Sequence, residues 1–200
     1  MKILIIGGTG TVGNAVTSEL SKRHEIVVAG KKSGDIQVDI TDINSIKSMY
    51  DTVGALDAVV ACAGKVTFAD FADMDDAAYR VGLNDKLMGQ VNLVLIGRDY
   101  INKSGSFTLT SGILNRDPIA QGSSAAMVNG ALDAFVKAVA FEMPPQLRIN
   151  IVSATVLTEA LPKYENYFRG YPSVAANKVA LAYVKSVEGI QTGQIYCVDD

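Results

Sequence analysis

Short apolar runs rich in β-branched residues alternate along the chain with longer stretches whose apolar residues recur at helical spacing. The runs at 2–6, 25–29, 36–38, 55–61, 106–110, 147–152 and 194–198 predict seven strands. Helices are predicted between them at 11–22, 43–53, 75–102, 123–142 and 173–187, with Gly105 and Pro144-Pro145 marking two element boundaries. Strand and helix taking turns is the pattern of βαβ units, in which parallel strands are joined by crossover helices. Right-handed crossovers wind such units into an α/β fold: a doubly wound, open parallel sheet of about seven strands with helices on both faces. Ligands of such sheets bind outside the carboxyl ends of the strands.

The most specific signal lies at the first of those ends. Gly7-Gly8-Thr9-Gly10-Thr11-Val12-Gly13 follows the run Ile3-Leu4-Ile5-Ile6 and opens the first predicted helix. A strand that turns directly into a helix needs residues without bulk, so that N–H groups at the positive helix end can approach a pyrophosphate. Gly7, Gly10 and Gly13 supply that freedom, with Thr9, Thr11 and Val12 lining the turn. A tight turn without a ligand is the competing reading.

Composition narrows the partners. Two hundred residues suit one domain, 1–200, with a sizeable core, and leave no room for a separate substrate domain. A net charge of −3, with no basic cluster larger than Lys22-Arg23 or Lys31-Lys32, argues against nucleic acid or an anionic membrane and for a small soluble ligand. The apolar runs fall short of a membrane span and Met1-Lys2 leads straight into a strand, so a cytoplasmic protein is expected. Cys62 and Cys197 lie in strand-like segments without ligand spacing and read as reduced core thiols, and the lone His24 reads as a surface residue. No metal site is expected.

These landmarks, in register nearly end to end, resemble the short-chain dehydrogenase/reductase family, whose fold is of the Rossmann type. The glycines at 7, 10 and 13 are similar to the pattern of its atypical branches, Thr11 standing where the standard branch has a further glycine. Asp39-Ile40 resembles the pair that contacts adenine, and Ala61-Cys62-Ala63-Gly64 resembles the Asn-Asn-Ala-Gly turn, keeping only Ala63-Gly64. Asn84 lies 27 residues before Ser111, close to the family's separation between its helix asparagine and its catalytic serine. The resemblance therefore implies Asn84 and Ser111 as catalytic, and Gly7, Thr9, Gly10, Thr11, Val12, Gly13, Asp39, Ile40, Ala63 and Gly64 as cofactor-binding.

The resemblance fails at the family's Tyr-x-x-x-Lys pair. Aligning Gly130-Ala131-Leu132-Asp133 with the family's apolar continuation puts Ala125 at the tyrosine position and Asn129 at the lysine position. Alanine carries no proton and asparagine no charge, so neither performs the family's acid–base work. Ser111, Ser124, Tyr164, Tyr167 and Tyr171 are the candidate replacements; the tyrosines lie on 156–171, which resembles the family's segment covering the substrate, and packing of that covering segment is their competing reading. Lys31-Lys32-Ser33 after the second strand suits a 2′-phosphate, so NADP(H) is expected over NAD(H), with Asp35 the argument for the latter. Two functions follow: an NADP-linked oxidoreductase of a small carbonyl or alcohol with an altered centre, or a catalytically silent dinucleotide-binding sensor. The predicted helices 75–102 and 123–142 resemble the family's pair for association, and Gly89, Gly97, Ala134 and Ala138 are small enough for close packing; a homodimer or homotetramer is expected.

Overall fold

In a computed structural model describing residues 1–200, the seven runs pair side by side. They are β1 (Lys2–Ile6), β2 (Glu25–Gly30), β3 (Ile36–Gln37), β4 (Leu56–Ala61), β5 (Ile101–Thr110), β6 (Arg148–Ala154) and β7 (Ile195–Val198). All pairings are parallel, in the order β3-β2-β1-β4-β5-β6-β7. The order reverses at β1, where the chain crosses from one half of the sheet to the other, and a cleft opens there at the carboxyl ends.

Strand parity builds two cores. In β1, Leu4 and Ile6 face one side, Ile3 and Ile5 the other, and none is more than 1% exposed. Each such side chain contributes about 1.5–3 kcal/mol by leaving water. Helices α2 (Ile43–Val53), α4 (Met88–Gly97) and α5 (Ser123–Glu142) cover the first face through Ile46, Tyr50, Val94, Leu132 and Val136. Helices α1 (Thr11–Leu20) and α7 (Ala176–Glu188) cover the second through Val16, Leu20, Val179 and Tyr183.

The predicted helix 75–102 is three pieces: α3 (Asp76–Gly82), a π-helical turn (Leu83–Leu87) and α4. It ends at Gly97, where a Cβ would lie 2.5 Å from the Tyr50 hydroxyl oxygen, and the chain re-enters the sheet at Ile101. Gly105, expected at a boundary, lies inside β5. The register slips there between the pairs Leu56–Ile101 and Ala58–Ser106, and a Cβ on Gly105 would meet Ile101 at 2.4 Å. Residues 161–164 form a short helix, α6 (Leu161–Tyr164), in the covering segment.

Three surface and core expectations change. His24 is largely covered, its Nε2 2.9 Å from Glu188 at the end of α7. Cys197 is exposed rather than a core thiol. Helix α5 has the length and apolarity of a membrane span, against the expectation that the apolar runs fall short of one; here its apolar side lies against β6 and the sheet core.

Candidate functional site

The glycine turn works by backbone approach. Gly7 has φ +78° and donates its N–H to the Ala29 carbonyl, while a Cβ on Gly13 would stand 2.0 Å from the Gly7 carbonyl oxygen. Helix α1 therefore starts in contact with the end of β1. Its N-cap is Gly10, with no capping side chain, so the first-turn N–H groups of Thr11, Val12 and Gly13 have no helical partners, and a cleft opens at this end of the helix. Thr9, Gly10, Thr11, Asn14 and Ser18 line that cleft, and so does Glu159, which caps α7 by accepting from Ala176 N–H at 2.9 Å. Sequence reasoning missed Glu159, because its position opposite the turn depends on how α7 packs on α1.

Beside it, a cavity of about 130 Å³ is lined by Gly7, Gly30, Lys31, Asp39, Ile40 and Gly64, among others. Most of the residues expected to hold adenosine thus share one pocket, with Ala63 also on its wall. Lys31 is not free: its Nζ lies 2.7 Å from Asp39 Oδ2. The Lys31 ammonium, with hydrogen bonds from Thr41, holds the Asp39 carboxyl down at about 2. Asp35 is exposed, its carboxylate accepting from Val28 N–H at 2.8 Å, and Lys32 is exposed without an ion pair. The Thr9 and Ser33 hydroxyls, 2.9 Å apart, tie this loop to the glycine turn.

At the end of β5, the buried Gln90 of α4 both accepts from Thr110 N–H and donates to the Thr110 carbonyl, fixing the strand end that carries Ser111. Ser111 is 5% exposed, and its Oγ has no partner. Asn84 does not reach it: the side chain is exposed and makes no hydrogen bond. Lys86, two residues on in the π turn, does, donating from Nζ to the Ser111 carbonyl at 2.8 Å. Asp85 of the same turn accepts from Lys65 N–H after β4. Burial pulls the Lys86 ammonium down to about 8, opposed by the charge of Asp133.

Asn129 is buried, donates to the Gly112 carbonyl at 3.3 Å and leaves Oδ1 unpartnered. Ala125 packs under Ile113 and Leu114, with Val66, Phe168 and Tyr171 against them. Of the candidate hydroxyls, Ser124 is buried with a free Oγ, whereas Tyr171 donates to Asp117 at 2.9 Å and Tyr164 packs near Phe68. Burial pushes the Cys62 thiol up to about 12.

A doubly wound α/β fold of the Rossmann type, with a glycine-turned cleft at the point where the strand order reverses, is what these elements define. A family model described as enoyl-(acyl carrier protein) reductase matches residues 8–192. The short-chain dehydrogenase/reductase ATR9 of Stachybotrys chlorohalonatus is 26% identical over 90% of this chain and 80% of its own. The solved structure of the protein lin1944 from Listeria innocua matches with a TM-score of 0.98 at 52% identity, covering 99% of each chain. A small-chain dehydrogenase in complex with NADPH matches with a TM-score of 0.89 at 27% identity, covering 100% of this chain and 96% of the other. The chain belongs to the short-chain dehydrogenase/reductase family.

Proposed function

We propose that the chain is an NADP(H)-binding oxidoreductase acting on a small carbonyl or alcohol, with an altered catalytic centre. The observation that carries the cofactor reading is the uncapped start of α1, pressed on β1 through Gly13 with its first N–H groups unpaired at the mouth of the cleft. The residues fit a dinucleotide: Gly10 to Gly13 would hold the pyrophosphate, and the pocket around Asp39, Ile40 and Gly64 the adenosine. Bound nicotinamide supplies the electron pair of the redox step. The engagement of the Asp35 carboxylate by Val28 N–H and the exposed, unpaired Lys32 favour a 2′-phosphate over a free ribose, and the NADPH bound by a relative at 27% identity agrees with that preference. Lys31 contributes by neutralising Asp39, which would otherwise repel the phosphate.

The substrate side is less furnished. With Ala125 and Asn129 at the family's Tyr and Lys positions, Ser111 is the group left to bind a carbonyl oxygen, and it has no base beside it. The apolar cover over Ala125 supports the second reading, a catalytically silent sensor of NADP(H). Calorimetry with NADPH and NADH, followed by NADPH oxidation against small aldehydes and ketones, separates the two. Tight NADPH binding with measurable turnover supports the first reading, binding without turnover the second, and no binding refutes both.

For assembly we propose a homodimer or homotetramer through the outer faces of α4 and α5. Gly89 and Gly97 do not serve it, since they abut Ile40 and Tyr50 of the same chain. Ala134 and Ala138 are exposed, and an apolar groove between the helices runs along Leu95, Phe135, Val139 and Met143. Light scattering that finds only monomer at micromolar concentration refutes it.

A further inference from the structure

Resting on the dinucleotide reading, we infer that Lys86 is the residue that holds the nicotinamide-riboside half of the cofactor, its ammonium donating to the ribose hydroxyls. The sheet order locates that half. The adenosine pocket lies at the ends of β2 and β3, and the phosphate cradle follows β1. A dinucleotide laid along the carboxyl edge continues past β4 toward β5, in steps of about 4.8 Å per strand. What stands there is the Gly64 turn, the end of β5 at Ser111 and the ammonium of Lys86.

Lys86 is built into this place. Gly64, with φ +150° and no side chain, lets the lysine stem lie against it; a Cβ there would be 2.7 Å from Lys86 Cγ. The ammonium carries three N–H donors and its one side-chain hydrogen bond is to the Ser111 carbonyl, so two remain for a ligand. Ser111 Oγ and Asn129 Oδ1, at least 95% buried and unpartnered, are polar atoms on the neighbouring strand end and helix, so the region has unused capacity on more than one element. Asn129 brings no charge. The cation enters from the π turn instead of from α5.

The test uses the whole protein and compares NADP+ with adenosine 2′,5′-bisphosphate, which ends before the nicotinamide riboside. In Lys86→Met, affinity for NADP+ should fall at least tenfold while affinity for the bisphosphate stays within about twofold, the latter also reporting that the variant is folded. Lys86→Gln, which keeps an N–H donor, should fall between the two. In the parent, the Lys86 Nζ resonance in nitrogen NMR, assigned by its absence in Lys86→Met, should shift on adding NADP+ and stay in place on adding the bisphosphate. Equal loss for both ligands, no loss for either, or an Nζ resonance indifferent to NADP+ overturns the assignment. A parent that binds the bisphosphate but not NADP+ also overturns it, whereas a parent that binds neither removes the dinucleotide reading itself.

Discussion

Placing a single methyl group on Gly13 tests the cofactor cradle at its tightest point. The new Cβ would sit 2.0 Å from the Gly7 carbonyl oxygen, 2.7 Å from the Gly7 carbonyl carbon and 2.8 Å from Gly8 Cα. Carbon and oxygen come to rest at well over 3 Å, so α1 must back away by about 1 Å or more, and no side chain can turn aside to spare it. That movement pulls Val16 and Leu20 from the core they share with α7. Overpacking of this kind costs about 1–3 kcal/mol, which in a domain of this size lowers Tm by roughly 2–12 °C. Dinucleotide binding should vanish at a temperature where the protein is still folded, since the α1 N–H groups no longer reach the pyrophosphate. Gly10→Ala is the control for stability alone: its Cβ would meet the Gly7 oxygen at 3.3 Å, and its φ of −77° suits any residue. Thermal melts and calorimetry on both variants decide. A Gly13→Ala protein that melts and binds like the parent would refute the argument from close approach.

Further outcomes follow from the same geometry. Lys31→Ala should weaken NADPH more than Lys32→Ala does, because it removes a cation and also leaves the Asp39 carboxylate unpaired beside the phosphate; titrations with NADPH and NADH at low and high salt read both effects. Asp39, depressed from 3.8 to about 2 in the folded protein, adds stability that is complete above about pH 4 and lost as pH falls through 2, so Asp39→Asn should flatten the Tm profile across that window. The Lys86 charge is lost as pH rises through about 8, and NADP+ affinity relative to adenosine 2′,5′-bisphosphate should drop between about pH 7 and 9, with Asp133 the opposing charge. Ala125→Tyr with Asn129→Lys should lower Tm, since Ala125 is 3% exposed beneath Ile113 and Leu114, and should raise NADPH-dependent reduction above the parent's; a rise in neither carbonyl reduction nor its rate at saturating NADPH favours the sensor.

The strand runs and the glycine turn were legible in the sequence because each depends on neighbours a few residues apart. Period-two and period-3.6 patterns report which faces are buried, and a turn's glycines report backbone approach within a dozen residues. The choice between Asn84 and Lys86 was not legible there. A spacing of 27 residues pointed to Asn84, but a π turn takes an extra residue and shifts the phase of everything across it, so counting residues misassigns the side chain that faces Ser111. The lysine's depressed ionisation, the Lys31–Asp39 pair and the entry of Glu159 into the cleft beside the glycine turn likewise arise from groups distant in sequence. Only the packing of α4, α5 and α7 on the sheet brings them together, because a charge responds to burial and to whatever stands within a few ångströms, and neither is written in the order of the residues.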